Sequence, residues 1–123
     1  MADESGKLLY LSKPKRFSLK EARDLIPKVR EITSAAVTSA TPVIRELEDE
    51  DLTEEERLHL SQQLEGEVDA WSQAISQLGA STKGLWLVDF DSGSGYYCWS
   101  YDEEELRFFH GYEEGFAGRK PIQ

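Results

Sequence analysis

The hydrophobic period of this chain changes once, at Gly79, and that change constrains the fold more than any other feature. Before Gly79 apolar residues return every three or four positions, the spacing of one helix face; after it they alternate, the spacing of strands. Ser18 with Glu21 forms a capping box, and Phe17 is placed to staple onto Ala22, so a helix starts there. Its expected seam is Ala22, Leu25, Val29, Ile32, Ala36, Ser39 and Val43. Pro27 and Pro42 lie inside it, each removing a backbone hydrogen bond at about 3 kcal/mol, so kinks or breaks are expected at both. Thr53 with Glu56 opens a second helix, whose seam is Leu64, Val68, Trp71, Ile75 and Leu78 and whose C-terminal cap is Gly79. The two seams predict an antiparallel hairpin.

Beyond Gly79, Leu85 to Phe90, Tyr96 to Tyr101 and Leu106 to His110 read as three strands. The predicted class is therefore α+β: a long antiparallel helical hairpin followed by a three-stranded antiparallel β-meander. Residues 1–16 form a tail, in which Leu8, Leu9, Tyr10 and Leu11 are apolar enough to dock or to pair as an edge strand. Residues 17–123 form one domain, with the hairpin over 17–79 and the meander and C-terminal tail over 83–123. The "DSGSG" between the first two strands opens no helix, so it is a turn and not a phosphate loop.

Pairing Phe90 with Tyr96 across that loop sets a register in which Val88 faces Cys98 and Asp89 faces Tyr97. A second loop over Asp102 to Glu105 then pairs Tyr97 with His110. Asp89, Tyr97, Trp99, Phe108 and His110 share one face, and Trp86, Val88, Phe90, Tyr96, Cys98 and Phe109 the other. Both faces are apolar, so both need cover, and one hairpin covers only one. The tail, the C-terminus or a second copy must supply the rest. About 30 helical residues span roughly 45 Å and strands only about 20 Å, so the hairpin should overhang the sheet. Its outer seam, with Val37, Ala40, Ile44, Leu58 and Leu60, is expected to pair with another copy in a homodimer.

A net charge of -10 argues against a nucleic-acid partner, which requires a basic surface. The basic cluster Lys13, Lys15, Arg16 and Lys20 reads as a solvated lead-in to the first helix, and the acidic run Glu46 to Glu56 as a solvated helix-end tip. No run reaches the roughly 20 apolar residues of a membrane span, and "MADES" lacks a cationic signal region, so a cytoplasmic protein is expected. A single cysteine, Cys98, forms no intrachain disulfide and no zinc-type Cys pair. No cofactor and no metal ligands are assigned.

The residues that can carry chemistry cluster after Lys83. Asp89 beside His110 is the pair used to orient a general base or a metal ligand, with a satisfied core histidine as the plainer alternative. If the second loop is one residue shorter, His110 pairs with Tyr96 and their row dissolves. Cys98, on the opposite face from His110 in this register, lacks the base that a nucleophile needs and reads as a small buried hydrophobe. Arg119 follows "GFAG" and can hold Glu103 or Asp89 as an internal ion pair, or clamp an anion. Trp71 and Trp99 read as core, Trp86 as an interface anchor, and His59 as solvated.

These residues carry a resemblance. "FSLKEA", Leu25, Pro27, "GLWLVDF", Cys98-Trp99, Glu103, His110 and "GFAGR" with Pro121 resemble domain of unknown function (DUF) family 2203, an uncharacterised bacterial family, from Phe17 onward. The chain has Phe109-His110 where the family usually shows Trp-His, and Gly111 where an acid usually follows. The resemblance implies that Asp89, Cys98, Trp99, Glu103, His110 and Arg119 belong to one constellation, and it supplies no reaction. Two readings compete. One is a non-enzymatic homodimeric module that binds a protein partner or a small anionic ligand through Asp89, Trp99, Glu103, His110 and Arg119. The other is a small-molecule or metal-dependent enzyme centred on Asp89 and His110 with Arg119 as anion clamp.

Overall fold

A computed structural model describes residues 15–123, so the apolar run Leu8 to Leu11 and Lys13 lie outside the described residues. Helix α1, Leu19–Leu47, starts at the expected capping box, with Ser18 Oγ accepting from Glu21 N–H and Glu21 accepting from Ser18 N–H. It runs unbroken through Pro27 and Pro42, which corrects the expected breaks. Both prolines face solvent, as do Arg23 and Thr38, whose carbonyls lose their helical donors and can turn to water. Breaking the helix would instead open its buried seam.

That seam is rotated from the expected one. The buried positions are Ala22, Ile26, Val29, Thr33, Ala40 and Val43, while Leu25, Ile32 and Ala36 flank the core. Thr33 was passed over because it is polar, yet it is fully buried and accepts a 2.9 Å hydrogen bond from Trp71 Nε1–H. Trp71 stands on helix α2, Glu54–Gln77, which opens at the Thr53 capping box. Gly79 follows α2 with φ +93°, the left-handed C′ position the sequence predicted. At the acidic tip, Arg57 of α2 donates to the carbonyls of Leu47 and Asp49, capping the end of α1.

Among the described residues the sheet has five antiparallel strands rather than three: β1 Ser81–Gly84, β2 Leu87–Asp91, β3 Tyr96–Ser100, β4 Phe108–His110 and β5 Lys120–Pro121, adjacent in that order. The two additional strands are short, largely polar edges, and they carry no alternation to read. Both trial registers are off by one. Asp91 pairs with Tyr96, which sets Asp89 opposite Cys98, and Tyr96 pairs with His110. Asp91 joins β2 because its carbonyl accepts from Phe17 N–H at 2.7 Å while its side chain accepts from Gly93 N–H and closes the turn.

A one-residue slip exchanges the faces of a strand. Val88, Phe90 and Trp99 are buried against Phe17, Ala22, Ile26, Val29, Trp71 and Ile75 of the helical layer. Trp86 packs edge-on against Trp71, with ring centroids 5.0 Å apart, and so joins the edge of this core. Asp89, Cys98, Phe108 and His110 line the outer face, and Phe116 and Arg119 of the C-terminal segment lie over it. The second cover therefore comes from the chain's own C-terminus. Among the described residues, no helix is long and apolar enough to cross a membrane.

Candidate functional site

Three neighbouring strands each deliver one residue to the same patch of the outer face. Asp89 on β2 lies directly opposite Cys98 on β3, and His110 stands two pairs further along on β4, on the same face. Asp89 and His110 thus meet on a diagonal and not in the expected row. His110 Nε2 lies 3.1 Å from Asp89 Oδ2, and Nδ1 lies 2.8 Å from the Gly111 carbonyl. All three residues are buried, and their donor atoms lie within 4.8 Å of one another. The reading that separated Cys98 from His110 is therefore overturned: the corrected register puts both on one face.

Cys98 nevertheless makes a poor nucleophile, for a different reason. Burial, then the neighbouring Asp89 carboxylate, push its thiol up to about 12, so it carries no appreciable thiolate near neutrality. Both ring nitrogens of His110 already face acceptors, which leaves no base free for Cys98.

The patch forms the floor of a cavity of about 180 Å³. Its walls are Leu87, Tyr96, Tyr112 and Phe116, with Lys83 at the rim, its ammonium 4.9 Å from the Tyr96 ring centre. Asp89 Oδ1 is buried there with no hydrogen-bond partner. Tyr112 is fixed by its hydroxyl, which donates to Asp91 Oδ1 at 2.7 Å. Burial acts to raise the Asp91 carboxyl, but the Gly93 amide, that hydroxyl and the charges of Arg16 and Lys83 together hold it below its usual range.

A larger groove of about 520 Å³ lies between α1 and the β3–β4 loop, but it holds no comparable chemistry. Arg23 in it is bound to the Leu106 carbonyl, and the lining carboxylates Glu104 and Glu105 are exposed.

The other expected site residues stand apart from the pocket floor. Trp99 is fully buried on the helical side, and its Nε1–H donates to the Glu103 carbonyl at 2.9 Å. Glu103 accepts from Arg119 Nη2 at 2.7 Å and from Ser100 N–H at 2.9 Å. The Arg119 guanidinium lies 4.0 Å from the Phe108 ring centre and 4.5 Å from that of Phe116. Trp99, Glu103 and Arg119 form a support that anchors the C-terminal cover, while Asp89 and His110 reach the cavity. Sequence reasoning missed Lys83, Tyr96 and Tyr112 as cavity residues, and its trial register, though not the family resemblance, set Cys98 apart from His110. For Cys98 the available signal was the Asx turn latent in "DSGSG", which shortens the loop and moves the register.

Residues 15–122 match the family described as "Uncharacterized conserved protein (DUF2203)", and the chain belongs to that family. The membership carries no assigned activity. No curated protein and no solved structure matches the chain.

Proposed function

We propose that the domain is a binding module whose site is the outer-face cavity, and that its ligand presents a cationic or hydrogen-bond-donating group to Asp89. The observation that carries this reading is Asp89, which lines the cavity and whose Oδ1 is buried without a hydrogen-bond partner. An orphaned buried carboxylate oxygen loses roughly 1–3 kcal/mol or more of solvation, a loss that a ligand donor recovers. A volume of about 180 Å³ corresponds to roughly six waters at about 30 Å³ each, so the ligand is small. Lys83 at the rim suits an anionic group at its other end. An anion alone does not suit the floor, because it would face the Asp89 carboxylate. The enzyme reading with Arg119 as clamp has less support, since that guanidinium is engaged by Glu103.

Amide NMR spectra recorded with glycine, ethanolamine, acetate and inorganic phosphate, each with EDTA and again with Zn²⁺, test the reading. At least one probe should shift amides in Leu87–Asp91 and residues 111–116, and Asp89→Asn should abolish the shift. Shifts confined to the Arg23 and Leu106 groove, or none under either condition, would overturn it.

A homodimer through the hairpins is part of the same proposal. Ala40 is closed inside the hairpin, but Leu58 is 59% exposed, and Val37, Ile44 and Leu60 are only half-buried. A second copy is the occupant that suits a hairpin longer than its sheet, because an antiparallel arrangement keeps the acidic tips apart. Sedimentation at micromolar concentration should give a dimer that Leu58→Glu converts to monomer; a monomeric parent chain would sink the proposal.

A further inference from the structure

The hydrogen-bonding of His110 cannot be completed by the protein's neutral groups. The Gly111 carbonyl only accepts, so the ring nitrogen 2.8 Å from it, Nδ1, must carry a hydrogen. In the neutral ring Nε2 then presents a lone pair, and 3.1 Å away it meets Asp89 Oδ2, a carboxylate oxygen that also only accepts. Two acceptors at that distance repel unless a cation stands between them. A proton on either atom would serve, but it leaves Asp89 Oδ1 orphaned.

We infer that Asp89, Cys98 and His110 form a binding site for one divalent transition-metal ion of the zinc class, with its remaining coordination position open to the cavity. This inference rests on the cavity reading and names the cation that the cavity takes. The donor set is one carboxylate oxygen, one sulfur and one imidazole nitrogen, the mixture that borderline ions accept and that calcium and magnesium do not favour. Tetrahedral bonds of about 2.0–2.3 Å place ligand atoms about 3.3–3.7 Å apart, so donors within 4.8 Å need a closure of only about 1 Å.

Two further features fit a metal rather than a proton. The Nδ1–H to carbonyl bond is the outer contact that fixes a ligating histidine with Nε2 toward the ion. The three ligands stand on three paired strands, so sheet hydrogen bonds hold them in place before an ion arrives. Three protein ligands with a vacant side toward a cavity is the coordination pattern that leaves room for an exogenous ligand. Lys83 at the rim and Tyr96 and Tyr112 in the walls would meet that ligand, and a small anion, excluded by the bare carboxylate, becomes acceptable once the ion is bound.

Titration of the metal-free full chain with Co²⁺ alone, followed by absorbance, and Zn²⁺ competition against a chromophoric chelator test the site. One ion per chain should bind at micromolar affinity or tighter, with the visible bands of a tetrahedral ion and the near-ultraviolet band of a sulfur–cobalt bond. Cys98→Ser should remove the sulfur band and weaken Zn²⁺ at least tenfold, and Asp89→Asn should weaken it similarly, with circular dichroism confirming that each variant is folded. Absence of stoichiometric metal, or a sulfur band that survives Cys98→Ser, would overturn the inference. If EDTA-treated protein binds an amine probe in the cavity while no metal binds, the metal site fails and the cavity reading stands. If neither binds, both fail.

Discussion

Glu103→Ala is expected to lower the free energy of unfolding by about 3 kcal/mol, the low end of the range for one partner removed from a buried ion pair, because this pair is only partly buried. The Arg119 side chain is only 11% exposed and lies against the rings of Phe108 and Phe116, so without Glu103 its charge keeps few alternatives to water it cannot reach. Glu103 also accepts from Ser100 N–H, which ties the end of β3 to the following loop. Glu105→Ala is the control. The Glu105 and Arg107 side chains are 69% and 66% exposed, and such pairs contribute about 0–1 kcal/mol. Urea denaturation of both variants at neutral pH measures the difference. Equal midpoints would show that Arg119 is not held as described. Because Gly115 and Phe116 also line the cavity, the destabilised variant should bind any cavity probe more weakly.

The helical half of the fold was legible because its signals are local. Each capping box joins residues three apart, and Gly79 ends α2 through its own backbone freedom. The prolines misled because propensity rules price a proline by its own helix. Here both face solvent on a helix whose opposite side is buried along its length, and tertiary packing wins. The rotated seam has a similar cause: Thr33 is polar, and only the distant Trp71 indole explains its burial.

The sheet was less legible because its register depends on non-local contacts. Asp91 becomes a strand residue through Phe17 N–H, a partner more than seventy positions away, and one added pair exchanges the faces. The pairing of Asp89 with His110 was still anticipated, because two one-residue slips, one at each side of β3, leave β2 and β4 residues on the faces they were assigned. For Cys98 only the family resemblance pointed there, because its placement on a face depends wholly on parity. The internal pairing of Arg119 with Glu103 was among the expected alternatives, and it engages Arg119 Nη2.

Gly95 should be the least replaceable small residue near the site, and Gly95→Ala is expected to destabilise the protein by about 3 kcal/mol, the upper part of the range for overpacking. A Cβ there would stand 2.4 Å from Phe109 Cζ and 2.7 Å from the His110 carbonyl oxygen. The aromatic ring can yield by rotation, but the second contact is backbone, held by the Tyr96 to His110 pair, and cannot move without parting β3 from β4. The conformation at Gly95 is not left-handed, so close approach alone creates the requirement. Gly66 provides the comparison: a Cβ at that helical position meets nothing within 4 Å, and alanine there should stabilise by up to about 1 kcal/mol. Displacing the His110 backbone also moves the imidazole away from Asp89 and Cys98, so Gly95→Ala should weaken Co²⁺ binding at least tenfold even under conditions where the variant remains folded. Thermal unfolding and the cobalt titration, run on the same samples, separate the two effects: a variant as stable as the parent with an unchanged cobalt spectrum would show that the His110 strand tolerates the methyl group and that the site is less tightly fixed by the sheet than argued.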